Sequence, residues 1–248
     1  MSELIKIGVI GCANIAERFV IPAMKKSEYF ELSGIASRSN EKADLFANNF
    51  KTKAFYSYQS LIESEIDAVY IPLPNSLHYE WIKKALKKKL HVLVEKSLAC
   101  NLKQVKELNQ IARLNKLVLV ENFQFRFHSQ LIFIKNLIDS GKLGDKRLIR
   151  SSFGFPPFDD KNNIRYQKVL GGGALLDAGA YTLKVSQIFL GSEIYVESGS
   201  LYQPINSEVD NWGSGFIKQK NGHLTSQIAF GFDNFYQNTL EVWCTKGK

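Results

Sequence analysis

Residues 5–16 read Ile5-Lys6-Ile7-Gly8-Val9-Ile10-Gly11-Cys12-Ala13-Asn14-Ile15-Ala16, and their reading decides the fold. The first six form a run rich in β-branched residues, the pattern of a strand buried on both faces in a parallel sheet. Gly11 ends the strand, and Ile15-Ala16-Glu17-Arg18-Phe19 opens a helical pattern that runs to Lys26. A strand, a small-residue turn and a helix N-terminus make a site for a pyrophosphate. The unpaired N–H groups of the first helical turn face such a ligand, and the helix dipole favours negative charge there. Gly11-x-Ala13-x-x-Ala16 departs from the three-glycine fingerprint: alanine is tolerated in third place, while Ala13 leaves less room for backbone approach. Gly11, Cys12, Ala13, Asn14 and Ile15 are the candidates for the phosphate turn. The alternative is the plain opening of any doubly wound α/β protein.

At 248 residues, 45% of them hydrophobic and 12% aromatic, the chain can bury the cores of two compact units. It has no apolar run of about 18 residues to span a membrane. The start shows no charged-then-apolar leader, and Cys12, Cys100 and Cys244 show no paired spacing, so a reduced, cytoplasmic setting is expected. His78, His91, His128 and His223 lack metal-ligand spacing, and no metal is expected. The formal charge of +8 suits an anionic ligand. The densest basic run, Lys83 to Lys89, lies in a helical pattern whose Trp81, Ile82, Ala85 and Leu86 face inward. It reads as a solvated helix face, and no nucleic-acid-binding signature accompanies it.

Phe30–Ser37 reads as the second strand. Dinucleotide-binding folds place a carboxylate at this strand's end to receive a ribose 2′-hydroxyl. Here the strand ends in Ser37-Arg38-Ser39 with Lys42 in the next helix, and the nearest acid, Glu31, sits at the wrong edge. A hydroxyl, a guanidinium and an ammonium suit a 2′-phosphate, so Ser37, Arg38 and Lys42 favour NADP, with NAD as the alternative. Further on, Ala43–Phe50 reads as a helix, Ile66–Leu73 as a strand, Leu77–Lys89 as a helix and His91–Val94 as a strand. Pro72 ends one of these strands, and Glu95-Lys96-Ser97 follows the other, where open α/β sheets bind ligands. A helix over Leu102–Leu114 and a strand at Leu117–Val120 complete the alternation of a doubly wound sheet in residues 1–122.

Residues 123–248 follow a different pattern. A helix at Ser129–Ser140, a strand at Leu148–Phe155 and a helix at Ala174–Leu190 behind Gly171-Gly172-Gly173 come first. Strand-like segments then follow near Ile194–Tyr202, Asn211–Lys218, Leu224–Phe232 and Thr239–Cys244 without helices between them. That is an α+β unit with an open, mainly antiparallel sheet.

Five ordered motifs carry a resemblance over Ile5 to the end: Gly-Val-Ile-Gly-Cys-Ala-Asn-Ile-Ala, Ala-Ser-Arg-Ser, Pro-Leu-Pro-Asn-Ser-Leu-His, Val-Glu-Lys and Gly-Gly-Gly-Ala-Leu-Leu-Asp-Ala-Gly-Ala-Tyr. Together they resemble the glucose–fructose oxidoreductase/inositol dehydrogenase (Gfo/Idh/MocA) family, nearest its NADP-dependent sugar ketoreductases and dehydrogenases. The resemblance implies a Rossmann domain, an α+β substrate domain and a homo-oligomer built through the second sheet. It implies hydride transfer between the nicotinamide and a secondary alcohol or ketone of a sugar, free or nucleotide-linked. It maps the catalytic lysine onto Lys96 and the helix pair onto Asp177 and Tyr181, which at i and i+4 share a helix face. Tyr181 is then the acid/base, favoured as phenolate by the Lys96 ammonium, and Asp177 holds a substrate hydroxyl or Tyr181's surroundings. By the same likeness Asn75 and His78 line the nicotinamide half, a satisfied core or cap histidine being the open alternative for His78. Arg126 and Arg165 fall on the substrate side.

Two departures stand out. Ser97 replaces the family's proline after Lys96, removing a backbone constraint where that lysine must be aimed. Relatives also continue beyond Thr245-Lys246-Gly247, so the sheet is expected to be short of its last part. Both leave room for a rival function, a catalytically weak NADP-binding sensor or structural partner.

Overall fold

The computed structural model describes residues 3–160 and 162–248, which divide into two compact units, one ending at Asn122 and the other beginning at Phe123. In the first, β1 (Ile5–Ile10), β2 (Phe30–Ala36), β3 (Ala54–Phe55), β4 (Ala68–Ile71), β5 (His91–Val94) and β6 (Leu119–Glu121) form one sheet. Its order is β3-β2-β1-β4-β5-β6, with every neighbouring pair parallel. This is the doubly wound order whose switch point lies between β1 and β4.

Period-2 alternation splits the strand side chains between two cores. Val69 and Ile71 of β4 join Leu61, Ile82, Leu86 and Leu108 on one face, while Ala68 and Tyr70 join Ile21, Met24 and Phe46 on the other. Each fully buried branched aliphatic contributes about 1.5–3 kcal/mol. That explains why β4, and β1 beyond Lys6, read as apolar runs. The crossovers are α1 (Ile21–Lys26), α2 (Asn40–Phe50), α3 (Tyr58–Ile62), α4 (Asn75–Lys87) and α5 (Leu102–Leu114).

Three features differ from the expectation. The first helix opens with a π-type segment, Ala16–Val20, before α1. α2 begins at Asn40 rather than Ala43, because the Ser39 hydroxyl accepts from the Lys42 amide and caps the helix. β3 and α3 fill a stretch in which no element was expected.

In the second unit, α6 (Ser129–Asp139) leads to β7 (Lys146–Gly154). A π-type segment, Leu175–Gly179, runs into α7 (Ala180–Leu190), followed by β8 (Ile194–Tyr202), β9 (Trp212–Gln219), β10 (Thr225–Gly231) and β11 (Gln237–Cys244). The sheet order is β11-β7-β10-β9-β8. Every pair is antiparallel except β7 with β10, which is parallel, so the sheet is mixed and mainly antiparallel. Ile149, Ile217, Ile228, Phe230 and Val242 pack with Ala178, Phe189 and Leu190 in a single core. Beneath α7 the buried hydroxyls of Ser186 and Ser226 hydrogen-bond at 2.8 Å. The sheet also carries an open hollow of about 550 Å3, lined among others by Arg150, Ser152, Ser200, Ser214 and Gln227.

Candidate functional site

The first unit gathers its candidate residues on the carboxyl edge of the parallel sheet, beside the switch point. At the end of β1, Gly11 has φ +105°, and its N–H donates to the Ala36 carbonyl at 2.8 Å. That conformation favours glycine, and a Cβ there would stand 2.7 Å from Leu73 Cδ2, a contact only movement of the Leu73 side chain would relieve. Cys12, Ala13, Asn14 and Ile15 follow in the turn and helix start. The Cys12 thiol lies 3.5 Å from the Lys42 carbonyl, and burial raises its pKa against the opposing pull of Ser37 and Lys42.

At the end of β2, Ser37 is buried, and its hydroxyl accepts from the Ser39 amide at 3.2 Å. Arg38 and Lys42 are exposed. Arg38 faces the Tyr58 hydroxyl, whose pKa is raised by burial and partly offset by that guanidinium. The edge therefore offers two cations and, among the described residues, no carboxylate at the end of β2; Glu31 lies at that strand's far end.

Beyond β4, Pro72 is buried, and Asn75 is the first residue of α4. Beyond β5 comes Glu95-Lys96-Ser97, whose Lys96–Ser97 peptide bond is cis. Glu95 Oε1 accepts from the Tyr70 hydroxyl and the Asn122 side-chain amide, each at 2.7 Å. Burial, and then Glu95, hold the Tyr70 hydroxyl far above its ordinary pKa, so it remains a donor. The Ser97 N–H donates to Asn75 Oδ1 at 3.1 Å, and the Leu98 N–H donates to Glu121 Oε1 at 2.8 Å.

His78 is 0% exposed. Its Nδ1 stands 2.7 Å from the Ser97 carbonyl oxygen and its Nε2 2.7 Å from that of Leu73. The structure thus places His78 in the interior with both ring nitrogens met, the satisfied core histidine that was the open alternative. Both ring partners only accept, so the imidazolium alone would donate to both. Burial lowers the ring's pKa, and the neutral ring donates from one nitrogen.

The second unit holds the other candidates. Gly172 and Gly173 admit the Arg165 backbone: a Cβ on Gly172 would lie 2.4 Å from the Arg165 carbonyl oxygen, to which the Gly173 N–H donates at 2.9 Å. Asp210, which sequence reasoning missed, starts the following helix: its carbonyl accepts from the Ala174 amide at 2.9 Å and its carboxylate from that of Leu175 at 2.7 Å. Asp177 falls within the π-type segment and Tyr181 in α7, so the expected i, i+4 pair spans a change of helical pitch.

Arg165 Nε donates to Asp177 Oδ2 at 2.7 Å, with side chains 37% and 15% exposed. The Arg165 guanidinium also lies over the Phe158 ring, 4.9 Å from its centre. The Tyr181 ring meets Phe123, Phe125 and Phe153 at 5.7, 5.9 and 5.2 Å between centres. Arg126 is exposed in the short 3-10 turn Gln124–Phe127, over the Phe127 ring. Among the described residues no three His, Cys, Asp or Glu side chains group as metal ligands, and no helix is long and apolar enough to cross a membrane.

A Rossmann unit with a glycine turn followed by a mixed-sheet unit is the two-domain organisation of a nicotinamide-dependent oxidoreductase. The chain belongs to the Gfo/Idh/MocA family. The oxidoreductase family with an NAD-binding Rossmann fold matches residues 5–123, and the GFO/IDH/MocA C-terminal domain matches residues 132–248.

The dTDP-3,4-didehydro-2,6-dideoxy-alpha-D-glucose 3-reductase of Saccharopolyspora spinosa is 39% identical over 249 residues, covering 100% of this chain and 74% of the relative. The D-xylose 1-dehydrogenase (NADP(+)) 2 of Haloferax volcanii is 32% identical, covering 97% and 74%. KijD10, a 3-ketoreductase from Actinomadura kijaniata solved with NADP and TDP-benzene, superposes with a TM-score of 0.93. It is 37% identical, with 98% of this chain and 74% of that one covered. KijD10 has also been solved in variants altered at one tyrosine and at one lysine, the residue types of Tyr181 and Lys96.

Proposed function

We propose that this protein reduces a keto group of a nucleotide-linked deoxysugar, at its 3-position, with NADPH. The observation that carries the reading is its similarity, along the whole chain, to the Saccharopolyspora 3-reductase. The protein's own residues fit the cofactor. The Gly11 turn, at φ +105°, leads into the helix start where a pyrophosphate binds, and Ser37, Arg38 and Lys42 supply a hydroxyl and two cations for a 2′-phosphate.

When bound, NADPH supplies the hydride. Tyr181 gives its hydroxyl proton to the ketone oxygen that becomes the alcohol, and Lys96 orients the substrate. Asp177, fixed by Arg165, holds a sugar hydroxyl, and Arg126 contributes a further cation on the substrate side. We place the enzyme in the cytoplasm, supported by three cysteines in no disulfide.

A homo-oligomer formed through the second unit's sheet belongs to the same proposal, supported by β8, an edge strand with Val196 and Leu201 exposed. Light scattering reads the oligomer directly. The function is tested by following NADPH absorbance with the dTDP-linked 3,4-diketo sugar that the Saccharopolyspora name specifies. Turnover by the wild type, and a kcat about 100-fold or more lower in Tyr181→Phe with unchanged NADPH affinity, is expected. NADPH binding without turnover of any dTDP-linked ketosugar would sink the enzyme reading and leave the NADP-binding partner.

A further inference from the structure

Lysine carries its ammonium on a long flexible stem, so the aim of Lys96 is only as good as the backbone from which it springs. That backbone is held on both sides. Before it, the Glu95 amide donates to the Ile71 carbonyl at 3.1 Å, and the Glu95 carboxylate is held by Tyr70 and Asn122. After it, Glu121 takes the Leu98 amide. Between them α4 grips both backbone polar groups of Ser97: Asn75 accepts from its N–H, and His78, one helical turn later on the same face, meets its carbonyl. A proline in place of Ser97 could not make the first of these bonds, having no N–H.

We propose that Asn75 and His78 are positioning residues that aim Lys96 by clamping the two backbone polar groups of Ser97, His78 donating from Nδ1, and that His78 does not serve by touching the cofactor. The inference rests on the reductase reading for its kinetic test, though the clamp has a readout of its own. The complete burial of His78 separates it from a ligand-binding role, and the 2.7 Å approach of its ring to the Ser97 carbonyl gives it something to hold. Displacement of a catalytic group by about 1 Å costs rate on the order of 100-fold.

The test compares His78→Asn, whose amide nitrogen takes the place of Nδ1, with His78→Gln, whose amide takes the place of Nε2, and with Asn75→Ala. Each is first checked for a native-like thermal transition and then for NADPH affinity, kcat and KM. The clamp predicts kcat about 10- to 100-fold lower in both His78→Gln and Asn75→Ala, with NADPH affinity unchanged in the two His78 variants, and most of kcat recovered in His78→Asn. Loss of NADPH affinity at unchanged kcat would overturn it, as would recovery by Gln rather than Asn. If no dTDP-ketosugar is turned over by the wild type, the substrate reading falls and Lys96 itself is measured. Its acetic anhydride labelling rate, relative to exposed Lys51, should change severalfold in His78→Gln and stay near wild type in His78→Asn. An unchanged ratio would refute the clamp.

Discussion

Replacing Gly11 with alanine tests both the turn's geometry and its role. At φ +105° an L-residue is strained by about 1–3 kcal/mol. The new methyl would also stand 2.7 Å from Leu73 Cδ2, well inside the carbon contact optimum of about 3.5–4.0 Å. The next carbon of Leu73 is 3.7 Å away, so a rotation of that one side chain relieves the overlap, at about 0.5–1.5 kcal/mol for an off-rotamer angle. The two effects together come to about 1.5–4.5 kcal/mol.

Gly191→Ala is the natural control, because Gly191 has φ +93° but nothing within 4 Å of its would-be Cβ. It carries the strain without the contact. Urea unfolding, with each unit's transition fitted separately, should show Gly11→Ala costing more than Gly191→Ala. Adding Leu73→Ala should return about 1 kcal/mol of that excess. NADPH affinity, read by cofactor fluorescence, should fall in Gly11→Ala and hold in Gly191→Ala. Equal costs in both variants, with NADPH binding intact in both, would refute the contact and the turn's role together.

Arg38→Ala should raise the NADPH dissociation constant about 10- to 100-fold, the worth of a charge-assisted hydrogen bond, while NADH binding barely changes. An equal loss for both cofactors would contradict the 2′-phosphate assignment. Arg165→Ala should destabilise the second unit by about 1 kcal/mol, a modest figure because that side chain is more than a third exposed, and the loss should be largely absent in an Asp177→Asn background. Urea midpoints of the four proteins give the coupling. Burial lowers the His78 pKa below 6.5, so the unfolded chain takes up this proton first as pH falls. First-unit stability from this group is complete above about pH 6.5 and is lost as pH drops toward the folded value, by up to about 1.4 kcal/mol per pH unit. The urea midpoint across acid pH should show this slope, and His78→Asn should flatten it.

The doubly wound unit was legible because its buried strands announce themselves as apolar runs, and because Ser37-Arg38 and Glu95-Lys96 fall where such runs stop. What escaped had weak or nonlocal signals. Ala54–Phe55 is too short for alternation to register, and Tyr58–Ile62 too short for a helical period. The π-type segments leave no mark in an apolar pattern near 3.6 residues per turn. The parallel pairing of β7 with β10 is a matter of sheet order, which neither strand's own residues encode. At the site, the glycine triplet pointed to the helix start, but Asp210 lies far along the chain from the amides it receives. Asn75 and His78 were legible as a motif, but their engagement with Ser97 depends on how α4 packs beside β5.

The strand order of the second sheet also sets a timetable for synthesis. In the first unit each strand finds a parallel neighbour after one short crossover, and all of its pairing is complete once Glu121 is made. β7 has no such neighbour: Ser151 pairs with Ile228 on one side and Leu240 on the other, and the Asp145 amide waits for the Thr245 hydroxyl. Both edges of β7 therefore stay bare until β10 is made, and one of them until β11 follows, while the first unit can already be folded. Nascent chains stalled between Gly154 and Thr225 carry an unpaired central strand, and it is at that stage that a chaperone has most to shield.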